Sequence, residues 1–193
     1  MNASDSAPHP AQTGDDRLPG DLEPRALVER IIRVDHAGEY GAKRIYAGQM
    51  AVLGQRTPAS RSIAHMAEQE QRHLDAFART LGDRRVRPTA LMPLWHVAGF
   101  ALGAATALLG ERAAMACTIA VEEVIDQHYA KQAELLGSDE APLRADIEAF
   151  RADELAHRDT ALAAGGAELP GYDLLSAAIK IGSKLAIFLS ERI

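Results

Sequence analysis

Glu70-Gln71-Arg72-His73 and Glu154-Leu155-Ala156-His157 are the two places where this sequence of 193 residues places a histidine three positions after a glutamate. Each is preceded by a glutamate at nearly the same distance: Glu39 lies 31 residues before Glu70, and Glu122 lies 32 before Glu154. Residues i and i+3 share a helix face, so the carboxylate and imidazole of one motif can meet one metal ion. Four carboxylates and two histidines, one Glu from each of two helices and one Glu-x-x-His from each of two others, make the donor set of a carboxylate-bridged di-iron centre in a four-helix bundle. On this reading each motif is a terminal pair for its own metal, and Glu39 and Glu122 bridge. Oxygen and imidazole donors without thiolate suit iron or manganese better than structural zinc. Four carboxylates in a core are costly unless metal charge balances them.

The turns support the same arrangement. Helices are expected over 25–53, 59–81, 111–136 and 143–164, with Gly54–Pro58 and Gly137–Pro142 as breakers. The midpoint of Glu39 and Glu70 falls at residues 54–55, and that of Glu122 and Glu154 at residue 138. Two antiparallel hairpins would therefore bring all six side chains to one level. Glu123 is also 31 residues before Glu154, so spacing alone leaves it open. Tyr46 follows Glu39 by seven residues and Tyr129 follows Glu122 by seven, two helical turns along one face, which favours Glu122.

Around these ligands, Asp35, Tyr46, His128, Tyr129 and Asp153 are candidates for outer contacts. Asp35 and Asp153 could accept the second ring N–H that a ligating histidine normally donates. Gly38, Gly41 and Gly48 interrupt the first helix at a cost of about 1 kcal/mol each relative to Ala. Close helix approach or room for a ligand would repay Gly38 and Gly41; ordinary packing suffices for Gly48. His36, His65 and His96 have no counterpart in the repeat.

Composition narrows the class. Hydrophobic residues make up 47% and aromatics 5%, a mix suited to helices packed on helices, and the net charge of −6 argues against a nucleic-acid-binding face. The single cysteine, Cys117, excludes an internal disulfide framework and reads as a small buried apolar residue. Residues 1–24 lack apolar periodicity and read as a disordered lead-in to a domain over 25–193. They hold no secretory signal pattern, and Asp5, Asp15 and Asp16 argue against a transit peptide.

The segment 88–110 carries no formal charge and is long enough to cross a bilayer if helical. A crossing there would part Glu39, Glu70 and His73 from Glu122, Glu154 and His157, so the segment is expected to lie against the bundle or at an interface. The final helix, from Tyr172, sets Lys180 and Lys184 among apolar residues in the manner of an amphipathic surface anchor.

Three blocks go further: RIIRVDHAGEYGAKRIYAGQMAVL (30–53), VRPTALMPLWHVAGFALGAATALLGERAAMACTIAVEE (86–123) and the terminal IFLSERI (187–193). They resemble the demethoxyubiquinone hydroxylases of ubiquinone biosynthesis. The resemblance implies an all-α, ferritin-like four-helix bundle with two additional apolar or amphipathic helices that contact the membrane. It implies metal ligands at Glu39, Glu70, His73, Glu122, Glu154 and His157, no catalytic residue beyond them, and two iron ions cycling between Fe2+ and Fe3+. O2 would be the co-substrate, with an external reductant, NADH among the candidates. The substrate would be a polyprenyl demethoxy-benzoquinol, hydroxylated on its ring. Trp95, Phe100, Lys180, Lys184 and Phe188 would mark its entry from the membrane. The implied setting is peripheral, on the cytoplasmic face of a bacterial inner membrane, with an accessory lipid-binding protein and a homo-oligomer as further expected partners. A ferritin-like iron-binding oxidase or peroxidase, using the same ligands, is the alternative.

Overall fold

The computed structural model describes residues 22–54 and 57–193, so the expected lead-in lies almost wholly outside the described residues. Six α-helices follow one another: α1 (Pro24–Leu53), α2 (Pro58–Arg84), α3 (Met92–Leu108), α4 (Glu111–Leu135), α5 (Ala141–Ala163) and α6 (Tyr172–Ser190). Where the sequence set helix bounds, the observed ones lie within three residues of them, and the uncharged segment 88–110 is helical over Met92–Leu108. The apolar run from Thr89 becomes helical only at Met92: the Thr89 hydroxyl first accepts the Leu91 N–H at 3.2 Å, closing a turn, and Pro93 then opens the helix.

Local chemistry sets the ends. Gly54 stops α1 at φ +69°, a conformation that favours glycine. Thr57 and Ser60 start α2 as a reciprocal cap, each side-chain oxygen accepting the other's backbone N–H at 3.0–3.1 Å.

α1–α2 and α4–α5 are two antiparallel hairpins that form the bundle. α3 packs along α1, and α6 along α4, so the repeated unit is three helices rather than the two read from the motif. The α1–α3 seam is closed by glycines. A Cβ on Gly103 would lie 1.9 Å from the Ile45 carbonyl oxygen, and one on Gly48 would lie 2.2 Å from that of Phe100. Gly48 is therefore a site of backbone contact, beyond the ordinary packing expected for it. Gly38 and Gly41 are different, because a Cβ there meets nothing within 4 Å.

Two apolar clusters cap the bundle's ends. One gathers Ile32, Phe77, Leu81, Tyr129 and Ile147; the other gathers Tyr46, Ile63, Met66, Met115 and Ile119. The six ligand candidates lie between them along the chain directions of α1, α2, α4 and α5. The first half of α4 is covered on all sides, which explains its run of fully buried small residues, Ala113, Ala114, Ala116, Cys117 and Ala120, without an amphipathic stripe; farther on, Gln127, Lys131 and Glu134 face outward. Burial pushes the Cys117 thiol up to about 12, consistent with an inert core residue. No helix of the described residues is long and apolar enough to cross a membrane.

Candidate metal centre

Glu39, Glu70, His73, Glu122, Glu154 and His157 are all buried in one layer. Their donor atoms fall into two overlapping groups, Glu39–Glu70–His73–Glu154 and Glu70–Glu122–Glu154–His157, with the atoms of each group within 4.8 Å of one another. The shared members are Glu70 and Glu154, so these motif glutamates, rather than Glu39 and Glu122 as expected from sequence, are the ones placed to reach both groups, and Glu39 and Glu122 stand one in each. Spacing along one helix could not reveal this, because bridging depends on which carboxylates meet across the bundle. α2 and α5 carry Glu70 and Glu154 to the middle of the layer, with a histidine at each flank.

The donor set fits a pair of metal ions. Glu39 Oε2, both oxygens of Glu70 and of Glu154, Glu122 Oε2 and the Nδ1 atoms of both histidines face inward, are buried, and make no oriented hydrogen bond. Buried polar atoms are rarely left this way unless something else binds them. His73 Nδ1 lies 3.2 Å from Glu154 Oε1, and His157 Nδ1 lies 3.2 Å from Glu154 Oε2 and 3.3 Å from Glu70 Oε1.

The electrostatics follow from crowding four carboxyls in a dry layer. Burial, then the charges of Glu154 and Glu39, push the Glu70 carboxyl well above its usual range. Burial and Glu154 do the same to Glu122. Burial also opposes ionisation of Glu154, but the close approach of the His157 and His73 imidazoles outweighs it and holds that carboxyl at about 2. Burial would lower His73, yet Glu154 and Glu39 raise it to about 10. The cluster thus holds protons where divalent cations would relieve the same repulsion.

The outer contacts cross between the halves. Tyr46, on the Glu39 helix, donates to Glu122 Oε1 at 2.5 Å, and Tyr129, on the Glu122 helix, donates to Glu39 Oε1. Asp153 Oδ2 lies 3.0 Å from His73 Nε2, as expected of a carboxylate that orients a ligating histidine. Asp35 does not play that part. It faces α4 and accepts from Gln132 Nε2 at 2.7 Å, with His128 Nε2 3.5 Å away. Glu123 points away from the layer to Lys180, which is therefore tied to α4 rather than free at a surface.

Sequence reasoning missed three glutamines. Gln69 Oε1 lies 3.3 Å from His157 Nε2 and so occupies the place that Asp153 takes beside His73. Both residues immediately precede a motif glutamate, a symmetry that was open to reading. Gln49 and Gln132 stand ten residues after Glu39 and Glu122 and are both buried; Gln49 donates to the Ala114 carbonyl at 3.0 Å. The repeat is thus Glu, Tyr at +7 and Gln at +10.

Beside this layer, a cavity of about 330 Å³ opens between α1, α3, α4 and α6, lined almost wholly by apolar and small residues including Gly38, Gly41, Trp95, Val121 and Gly182. Trp95 also donates to Ser190 Oγ at 3.0 Å, tying α3 to the end of α6. The other expected entry residues lie outside the cavity wall: the Arg44 guanidinium covers the Phe100 ring and that of Arg192 covers Phe188, while Lys184 is exposed.

Fold and site together define a ferritin-like helical bundle whose buried glutamates and histidines could hold metal. Residues 26–190 match the family model described as "Ubiquinone biosynthesis protein COQ7", and the chain belongs to that family. A Rhodospirillum rubrum relative named 3-demethoxyubiquinol 3-hydroxylase is 58% identical over 94% of this chain and 86% of its own length. Rat and human relatives, each named NADPH-dependent 3-demethoxyubiquinone 3-hydroxylase, mitochondrial, are 55% and 53% identical over 87% and 88% of this chain and 79% of their own.

Proposed function

We propose that this chain is an O2-dependent di-iron monooxygenase that hydroxylates the ring of a polyprenyl demethoxy-benzoquinol. The observation that carries the reading is the pair of four-donor groups sharing Glu70 and Glu154, in a chain of a family whose relatives are named hydroxylases of this ring. Glu39 and His73 would hold one ion, Glu122 and His157 the other, and Glu70 and Glu154 both. Iron bound there would supply the reductive activation of O2. The protein's own part is positioning: the tyrosine hydroxyls fix the terminal carboxylates, and the apolar clusters at either end keep water from the layer. The cavity supports a lipid substrate, because its wall offers a prenyl chain contact without polar competition and adjoins Glu39 and Glu122 through their neighbours Gly38 and Val121. Electrons come from an external nicotinamide reductant; NADH was the expectation from sequence, and the mammalian relatives' names carry NADPH.

The reading sets the chain peripherally at the cytoplasmic side of a bacterial inner membrane; the outer faces of α3 and α6 support the membrane contact itself. Leu94 and Val97 on α3, and Leu174, Ile181, Leu185 and Phe188 on α6, are all at least half exposed. An accessory lipid-binding protein or a second copy of the chain would have the same faces to use.

The test is anaerobic loading with Fe(II), metal analysis, then addition of substrate, reductant and O2. About two irons per chain and a product heavier by one oxygen are expected. Glu70→Ala should abolish hydroxylation while the helical signal persists, and full activity in that variant would refute the assignment. Peroxide turnover without hydroxylated product would favour the oxidase or peroxidase alternative.

A further inference from the structure

The two ends of the ligand layer are matched in their ligands and differ in what stands behind them. Each end has a terminal glutamate, a tyrosine donating to it from the other half, and a histidine whose Nδ1 faces inward. The outer nitrogen of each histidine meets the residue that precedes the opposite motif's glutamate. At the His73 end that residue is Asp153, at 3.0 Å; at the His157 end it is Gln69, at 3.3 Å. Either oxygen can receive the ring N–H and fix the tautomer, but only the carboxylate adds negative charge behind the imidazole and strengthens it as a ligand. A second difference runs the same way: Asp35 stands one turn before Glu39, where Thr118 stands before Glu122. Because Asp35 shares its charge with His128, the weight of the argument rests on Asp153 and Gln69.

We propose that Asp153 and Gln69 make the two metal positions unequal, so that the Glu39–His73 position fills first and holds its ion more tightly than the Glu122–His157 position. Both are positioning residues, acting through the histidines. The inference deepens the reading of a two-metal site and rests on it. Outer contacts of this kind are worth about 10- to 100-fold in metal affinity, and Asp153 is 40% exposed and partly screened, so the lower end applies.

The experiment is anaerobic titration of the full chain with Co(II), read by visible absorption, and with Mn(II), read by loss of the free-ion EPR signal. Two steps are expected. Asp153→Asn should weaken the first step by about tenfold, and Gln69→Asp should tighten the second by a similar factor while leaving the first unchanged. The opposite directions separate ligand tuning from a folding defect, and circular dichroism on each variant confirms the bundle. Two steps of unchanged separation in both variants would mean that repulsion between the ions alone sets the gap, which overturns the inference but keeps the two-metal reading. Binding of a single ion, or of none, overturns both.

Discussion

Tyr46 and Tyr129 each lend one hydroxyl to a terminal carboxylate, so their loss should register at the metal positions rather than in the bundle. Tyr46→Phe removes the donor to Glu122 Oε1, whose partner oxygen already lacks one. The Glu122 proton is then held more firmly still, and Mn(II) affinity should fall by about tenfold; Tyr129→Phe should lower it similarly by removing the donor that orients Glu39. Unaltered Mn(II) titrations in both would contradict this. A pH dependence follows from the same cluster. Glu70, Glu122 and His73 bind protons more tightly folded than unfolded, so their stabilisation is complete at low pH and is lost as pH rises; His73 sets the window, from 6.5 to about 10. Glu154 has the opposite sign and adds stability that is lost only as pH falls from 4.5 to about 2. Chelator-treated protein should therefore melt at progressively lower temperature between pH 6.5 and 10, and saturating Mn(II) should remove the decline. The six ligand candidates were legible because metal chemistry restricts their type and helix geometry their spacing. The glutamines were missed because an amide has no such restricted role, although the place of Gln69 before Glu70, matching Asp153 before Glu154, was there to be read; Asp35 faces a helix that its own sequence position cannot specify.

At the scale of elements, the glycines divide by what surrounds them. Gly103→Ala would drive a methyl into the Ile45 carbonyl, and a loss of about 3 kcal/mol in denaturant unfolding is expected as α3 is pushed off α1. Gly41→Ala meets open space and should raise stability by about 1 kcal/mol through helix propensity. Gly41→Leu, by filling the cavity, should slow hydroxylation of long-tailed substrate more than of a short-tailed analogue; equal slowing of both would argue against a prenyl chain there. The helices were legible to within three residues because Gly and Pro punctuate them and the apolar positions recur at helical spacing. That α3 belongs to α1 and α6 to α4 was not legible, because the α1–α3 seam rests on glycine backbone contacts and α6 meets α4 through small and aliphatic side chains, Ile179 and Leu175 against Cys117, Ala120 and Val121, whose pairing no sequence pattern specifies.

Over the whole molecule, the ligand layer and the exposed apolar faces are separate systems and should fail separately. Replacing Ile181 and Leu185, 69% and 55% exposed, with Glu should abolish co-sedimentation with anionic phospholipid vesicles while leaving metal stoichiometry unchanged. Retained sedimentation would move the membrane contact elsewhere. The three-helix repeat has a consequence of another kind. In an assembly of two identical three-helix chains, every substitution is inherited by both ends of the layer at once, and such an assembly could never place aspartate behind one histidine and glutamine behind the other. With both halves in one chain each can vary alone, and the Asp153–Gln69 pair is a difference that two identical chains could not carry.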